Sequence, residues 1–347
     1  MISSRERLLA ALRGERADRI PVSPWGLAKV PRQSPAGQAL LEKADPFIDI
    51  GLGCDAVGGL DWRPEVSVSG PVGTLRVRLA DRDLTAAFTT TAETTAATEY
   101  LCKNGDDLRA LLEAPYREPV PDASAYRALQ EEIGGRGLVI LGFGNALNYL
   151  HDAMGPELCC QLWAEQPALL MWAASVAAER IQRVVARACE AGVDCVRIYG
   201  GEYASELMGP RAWKHLVMPF DKPLVEMAHA EGALVHYHNH GRMQRWLECI
   251  ADLGVDSLDP IEQPPYGDMT MSEAHRRIGD RVCLVGGLDD MEVLETRPWT
   301  EIEPLARELL NTVGPKRFVL GGTSSSLFGE RAARHFIRLV DLVIEYS

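Results

Sequence analysis

The sequence predicts an α/β fold of the (β/α)8 barrel type. From about residue 104 onward, short apolar runs alternate with longer helical patterns, which is typical of a parallel sheet covered by helices. Two further apolar segments, near 20–24 and 54–58, bring the total to about eight strands, the number in such a barrel. A doubly wound open sheet is the alternative, but no Gly-x-Gly-x-x-Gly motif follows the first strand and no P-loop is present.

The chain begins with a predicted helix. Ser3 or Ser4 can cap a helix that extends to about Arg13, and Gly14 is a typical residue to end it. The prolines within residues 19–25 exclude a helix there and indicate an extended segment.

Residues 64–102 have a different sequence pattern from the rest of the chain, because apolar and polar residues alternate there. Such alternation predicts a solvent-facing antiparallel ribbon or small sheet. The segment is too short to bury a core of its own. We therefore interpret 64–102 as an insertion, and residues 1–347 as one barrel domain.

The remaining elements follow from hydrophobic periodicity. The other predicted strands are 137–142, 194–200, 233–240, 255–259, 282–287 and 317–322. The other predicted helices are 36–49, 157–191, 211–231, 243–253, 270–279, 299–312 and 327–345.

Composition narrows the functional classes. Hydrophobic residues make up 46% and charged residues 24% of the chain, as in ordinary soluble enzymes. The net charge of -13, without any basic tract, argues against a nucleic-acid partner. No apolar run approaches the ~20 residues that cross a bilayer. The eight cysteines form no Cys-x-x-Cys pair and no signal peptide is apparent, so we expect reduced thiols and a cytoplasmic location.

Three histidines at alternate positions are the strongest chemical signal. His236, His238 and His240 lie at the end of a predicted strand, where alternation places them on one face. Imidazole is the commonest metal ligand and the side chain best suited to proton transfer near neutral pH. We expect His238 and His240 to bind a metal ion and His236 to support them from the second shell, although a hydrogen-bonded cluster without metal fits the same pattern.

Polar residues at the other predicted strand ends extend the candidate site, since catalytic groups in barrels lie there. Glu202 can complete a His/His/Glu metal site, or can be a surface loop acid. Asp289 has the same potential for catalysis, but it also fits a helix N-cap, and Asp259 before Pro260 fits a turn. The predicted substrate-binding residues are Asn145, Asn148, Tyr149, Thr323 and Ser324, and Tyr199 and Tyr237 are predicted to shape the pocket.

Six segments spread over the chain match one family pattern. They are Arg5–Gly14, Ala17–Val22, Met208–Pro210, Met218–Phe220, Leu253–Asp256 and Phe318–Gly322. With the histidine strand, they make the chain resemble the uroporphyrinogen decarboxylase-like superfamily, whose members fold as (β/α)8 barrels. One branch decarboxylates porphyrinogens without a metal, using an Arg-Gln-Ala-Gly-Arg motif. Residues 31–35 here lack its glycine and second arginine, so this activity is not expected.

The resemblance is closer to the second branch, the zinc-dependent methyltransferases that work with corrinoid proteins. Those proteins have a His-x-Cys-Gly zinc motif and often a later cysteine. Here His240 stands in place of the first cysteine and Thr323 in place of the later one. Replacing thiolate ligands by imidazole makes a bound metal ion a harder Lewis acid, which is better suited to activating an oxygen group of the substrate.

The resemblance thus implies demethylation of a small oxygen-linked methyl donor. The methyl group would pass to cobalamin carried by a corrinoid partner protein, with zinc bound by His238, His240 and Glu202. Three alternatives stay open: a metal other than zinc, a metal-independent decarboxylase or lyase in which the histidines act as acid and base, and a non-catalytic binding barrel.

Overall fold

The computed structural model describes residues 2–92 and 94–346 and consists of a curled parallel sheet, helices around it and a small antiparallel sheet. The curled sheet has eight strands in the spatial order β1-β12-β11-β10-β9-β8-β7-β2. These strands are β1 (Val22–Ser23), β2 (Phe47–Gly51), β7 (Leu138–Gly144), β8 (Cys195–Tyr199), β9 (Leu234–His238), β10 (Ser257–Asp259), β11 (Cys283–Gly287) and β12 (Phe318–Gly321). A parallel bridge between Trp25 and Phe47 connects the two edges, which is consistent with a TIM-like barrel.

Helices surround this sheet, as the alternating sequence pattern predicts. They are α1 (Ser4–Arg13), α2 (Pro35–Lys43), α3 (Gly105–Glu113), α4 (Ala123–Ile133), α5 (Ala146–Glu165), α6 (Pro167–Glu190), α7 (Pro210–Ala212), α8 (Met218–Ala230), α9 (Leu247–Ala251), α10 (Met271–Ile278), α11 (Trp299–Val313) and α12 (Glu330–Tyr346). Short π-helical turns lie at Tyr203–Met208, Trp213–Val217 and Asp290–Glu295, and a 3-10 turn lies at Gly134–Arg136.

Helix α1 packs into the amino end of the curled sheet. Its start is fixed by a capping box between Ser3 and Glu6, and it ends at Gly14 with φ 73°, so the predicted caps are confirmed. Leu8 and Leu12 are fully buried in a cluster with inward-facing side chains of β2, β7, β8, β11 and β12. The amino end of the sheet is therefore filled with apolar side chains, and functional side chains can lie only at the opposite, carboxyl end.

The insertion is a four-stranded antiparallel sheet, as predicted. Its strands are β3 (Glu65–Ser69), β4 (Val72–Arg78), β5 (Asp83–Thr90) and β6 (Thr95–Glu99). Val77 and Leu84 pair across β4 and β5 and are buried within the main apolar core. The insertion is therefore attached to the main body by this apolar contact.

Several predicted boundaries are wrong. The second strand is Phe47–Gly51 rather than 54–58, because Pro46 disfavours helix at Asp45 and stops α2 before the predicted end at 49. The predicted helix 157–191 is two helices, since Pro167 starts a new one. Strand β9 ends at His238, so His240 lies in the following loop and not in the strand.

None of the helices among the described residues combines the length and apolar character needed to span a membrane.

Candidate functional site

Polar side chains gather at the carboxyl end of the curled sheet, on its inner face. Strand register places Arg197 of β8 and Ser257 of β10 level with His236 of β9. Two residues further along the strands, His238 lies level with Tyr199 and Asp259. The site therefore has two layers of polar residues.

Asp259 joins two of the three histidines. Its Oδ1 atom lies 2.6 Å from Nε2 of His236 and 2.9 Å from Nδ1 of His238. The other ring nitrogen of His236, Nδ1, lies 2.8 Å from the Ser257 hydroxyl, so both of its nitrogens are engaged. Burial lowers the pKa of His238 to about 4, although the Asp259 carboxylate opposes that shift. His236 thus supports the carboxylate that holds His238.

His240 has a carboxylate partner of its own. Its Nδ1 atom lies 3.2 Å from Oε1 of Glu262, and its ring is edge-on to that of His238 with centroids 4.6 Å apart. Burial alone would lower the pKa of His240, but the hydrogen bond to Glu262 and the negative charges of Glu262, Asp259 and Glu202 together outweigh it, and the pKa is raised. Within the described residues, His238 and His240 are both held through Nδ1, so Nε2 of each is left for another partner.

Arg197 is a buried cation in the deeper layer. Its Nη1 donates to Oδ2 of Asp49 at 2.9 Å, and its guanidinium lies 4.1 Å from the ring centroid of Trp25. Gly142 lies between the two charged residues, and a Cβ there would come within 2.5 Å of Asp49 Oδ1. Glycine at this position leaves the space in which the Asp49 carboxylate sits.

A cavity of about 460 Å³ opens beside this pair. Its lining includes Trp25, Ala28, Asp49, Arg197 and Ser326. A larger cavity of about 840 Å³ lies between the insertion and α3, and none of the candidate site residues lines it.

Glu202 follows β8 and is held by its own loop. The backbone N–H of Gly200 donates to its Oε2 at 3.0 Å. Burial raises the pKa of Glu202, whereas the nearby positive charges of His240 and Arg197 act in the opposite direction. Tyr199 lies at the end of β8, and its ring centroid is 5.9 Å from the Arg197 guanidinium.

Tyr237 and Asn145 belong to a separate polar cluster behind the sheet. The Tyr237 hydroxyl donates to Oδ2 of Asp221 at 2.7 Å, and the Asn145 amide donates to the same oxygen at 2.9 Å. Because neighbouring residues in a strand point to opposite faces, Tyr237 faces away from His236 and His238. Burial raises the pKa of Asp221 to about 6.

The other candidate residues at this end have identifiable partners. Asn148 donates to Asp152 at 2.9 Å, and both line a cavity of about 380 Å³ together with Tyr149 and Tyr199. This cavity holds three of the predicted residues, but it does not include the histidines.

The residues after β11 and β12 differ in what they contact. Asp289 accepts hydrogen bonds from the backbone of Met291 and Glu292, so it acts as the N-cap that its sequence also allowed. The Ser324 hydroxyl contacts Oδ2 of Asp259, and the backbone N–H of Asp290 lies 3.4 Å from the Thr323 hydroxyl. Ser324 is thereby brought to the histidines, whereas Asp289 is not.

A model of the uroporphyrinogen decarboxylase (URO-D) family matches residues 99–346. The chain belongs to the uroporphyrinogen decarboxylase family. The resemblance predicted from the sequence motifs is therefore confirmed. No protein among those with curated functions matches the chain significantly in sequence.

The fold of this family member is shared with a solved methyltransferase structure. A methyltransferase from Methanosarcina mazei superposes with a TM-score of 0.71 over 100% of both chains at 18% identity. A B12-independent methionine synthase from Shewanella sp. W3-18-1 gives 0.48 over 80% of this chain and 76% of the other, at 9% identity. The putative vitamin-B12 independent methionine synthase from Listeria monocytogenes gives 0.45 over 68% and 73%, at 12% identity.

One branch of the URO-D family implies a bound zinc ion. The described residues do not provide a complete set of ligands for it. In the described part of the chain, no group of three His, Cys, Asp or Glu side chains is placed to hold one ion. His238 and His240 supply two imidazoles held by carboxylates, the arrangement found behind metal-bound histidines, but Glu202 is not assembled with them as a third ligand.

The sequence did not predict Arg197, Asp49 or Ser257 as residues of this site. Arg197 interrupts the apolar strand β8, and a charged residue at an inward position of such a strand was a usable signal. Asp49 was hidden because its segment was interpreted as helix. Asp259 was interpreted as a turn residue, yet it is fully buried between two histidines.

Proposed function

We propose that this URO-D family protein is a methyltransferase that removes a methyl group from an oxygen-linked donor and passes it to a corrinoid protein. The observation that carries the proposal is the pair His238 and His240, each held at Nδ1 by a carboxylate at the carboxyl end of the sheet. The fold shared with a methyltransferase over both full chains adds support.

The chemistry requires that the departing oxygen be neutralised. The acceptor supplies the electron pair for the new bond to carbon, while the pair of the broken C–O bond stays on oxygen. That oxygen then takes up a proton and leaves as an alcohol or phenol. His240 is suited to this step, because its raised pKa favours the imidazolium form, in which Nδ1 donates to Glu262 and Nε2 can give its proton to the oxygen. His238 is neutral near pH 7, since its pKa is lowered to about 4, so with Nδ1 donating to Asp259 its Nε2 is an acceptor that positions the substrate. Asp259 and Glu262 hold the rings in position for it.

Product analysis tests the proposal directly. The purified protein is incubated with a panel of methoxy compounds and reduced cobalamin, and the demethylated alcohol or phenol is quantified by liquid chromatography. We expect turnover that falls at least about 100-fold in a His238→Ala/His240→Ala double variant. His215→Ala, an exposed histidine away from the site, is the matched control and should keep its activity. No demethylation of any donor would rule the function out.

Zinc dependence is a separate part of the proposal, and the proton-transfer step above does not depend on it. If the ion binds through His238 and His240, elemental analysis of the purified protein should find it near one equivalent. The double variant should lose it, and the His215→Ala control should not. Activity in protein without bound zinc would refute the zinc dependence, whereas the proposed methyl transfer would still hold.

Decarboxylation is a second candidate, because Arg197 places a buried cation beside the cavity where a substrate carboxylate would fit. The same incubations distinguish it. Release of CO₂ from carboxylic acids without demethylation would favour this alternative.

A further inference from the structure

Arg197 has an unused hydrogen-bonding edge. Its Nη1 atom donates to Asp49, but its Nε atom is buried and has no hydrogen-bond partner among the described residues. Its Nη2 atom makes no hydrogen bond to another of the described residues. A buried donor without a partner is rare in native structures, so the Nε atom calls for an explanation.

The free edge has the shape of a carboxylate-binding group. Nε and Nη2 of a guanidinium lie side by side and form two parallel hydrogen bonds to the oxygens of one carboxylate. The residue itself is only 9% exposed, and it lines the cavity of about 460 Å³. The Asp49 hydrogen bond and the Trp25 ring hold the guanidinium in one orientation, so little freedom is lost when an anion binds.

We propose that this edge of Arg197 binds the carboxylate of the substrate, so that the methyl donor is a small methoxy carboxylic acid. This inference rests on the proposed function for the identity of the reacting group. The carboxylate lies in the deeper layer with Arg197, and the methoxy oxygen lies in the layer of His238, which is two residues further along the paired strands.

The strand register also limits the size of the donor. Two residues of a β-strand span about 6–7 Å, which sets the separation between the carboxylate and the methoxy oxygen. A para-substituted benzene ring has about this span, whereas the carboxylate and methoxy oxygen of methoxyacetate are only about 2–3 Å apart. The geometry therefore favours a methoxy-substituted aromatic acid over a short aliphatic one.

Calorimetric titration of the intact protein tests the inference without any methyl acceptor. The probes are 4-methoxybenzoate and methoxyacetate, each compared with its uncharged amide. We expect 4-methoxybenzoate to bind about tenfold or more tightly than 4-methoxybenzamide, because hydrogen bonds to a charged group are the stronger ones. Methoxyacetate should bind more weakly than 4-methoxybenzoate.

Variants assign the preference to Arg197. The exchange Arg197→Gln leaves Asp49 buried without its partner, so the double variant Asp49→Asn/Arg197→Gln is measured beside it to keep a folded protein. Both should lose the preference for the acid over the amide. Arg338→Gln is the matched control, since Arg338 also stacks on a tryptophan, at 4.3 Å from the Trp299 ring, but lies away from the site.

The outcomes separate this inference from the proposed function. Equal binding of acid and amide by the wild-type protein, or a preference kept by a folded Arg197 variant, overturns the carboxylate site even if neutral ethers are demethylated. A preference that disappears with Arg197 supports the site even if no methyl transfer is found, in which case it is the proposed function that fails.

Discussion

Asp259 is the residue on which the candidate site depends most. One buried carboxylate contacts His236 and His238 of strand β9 and Ser324 of the loop after β12. Burial by itself would raise the pKa of Asp259, but the two imidazoles outweigh this and hold it well below its usual value. A charged acceptor between the two rings fixes the orientation of His238.

Replacing Asp259 by Asn should therefore impair catalysis more than binding. The neutral amide oxygen accepts hydrogen bonds from the two rings more weakly than the charged carboxylate does, so His238 is held less firmly in its orientation. We expect kcat for demethylation to fall about 10- to 100-fold, as for comparable partners of functional histidines. Asp256→Asn is the control, because Asp256 holds His229 at 2.8 Å outside the site. An unchanged kcat in Asp259→Asn would contradict this role.

Asp221 gives a prediction about stability and pH. Its pKa is about 6 in the folded protein against an ordinary value of 3.8, so the folded state binds the proton more tightly than the unfolded state. The stability that this group contributes is present at low pH and is lost as pH rises through 6. Asp221→Asn stays neutral and can still accept the hydrogen bonds from Tyr237 and Asn145.

The variant should thus gain stability relative to the wild type as pH rises. We expect the difference in free energy of unfolding to grow by about 1 to 1.5 kcal/mol between pH 5 and pH 7.5. Urea unfolding at several pH values measures it, with the exposed Asp280→Asn as control. A difference that does not change with pH would show that Asp221 does not titrate in this range.

At the scale of elements, helix α1 closes the end of the sheet opposite the site. Its apolar face meets inward side chains of several strands, and this contact joins the first residues of the chain to its last strand. The helix therefore stabilises the sheet that positions the functional groups, without contributing one itself.

Leu12→Ala tests this contribution. Leu12 is fully buried, and removing its side chain leaves a cavity among packed residues. We expect a loss of about 2–5 kcal/mol in the free energy of unfolding, measured by denaturant titration. Arg13→Ala, one residue further and exposed, should change it little. A small effect of Leu12→Ala would mean that the end of the sheet can rearrange around the gap.

At the scale of the whole molecule, the net charge of -13 bears on the proposed partner. A corrinoid protein with a basic docking surface would be attracted at long range, and salt would screen that attraction. We expect methyl transfer to the partner to slow as ionic strength rises from about 0.01 M to about 0.1 M, over which the screening length falls from about 30 to about 10 Å. Transfer to free cobalamin is the control. Equal salt dependence in both assays would contradict charge-guided docking.

The sequence by itself determined the family, the alternation of strands and helices, the antiparallel insertion and the histidine-bearing strand. These depend on local signals, namely periodicity, capping residues and glycines, which act over a few positions. The sequence also determined the orientation of Tyr237, because a strand residue between two inward-facing histidines must face outward.

Only the tertiary structure decided how the site is assembled. Arg197 meets Asp49 from a position 148 residues away, and Asp259 reaches His236 from 23 residues away. Asn145 and Tyr237 meet on Asp221, 76 and 16 residues from it. No local pattern encodes these pairs, because they arise when parallel strands come into register around the curled sheet, and buried charges must then find partners among the neighbours that the register provides.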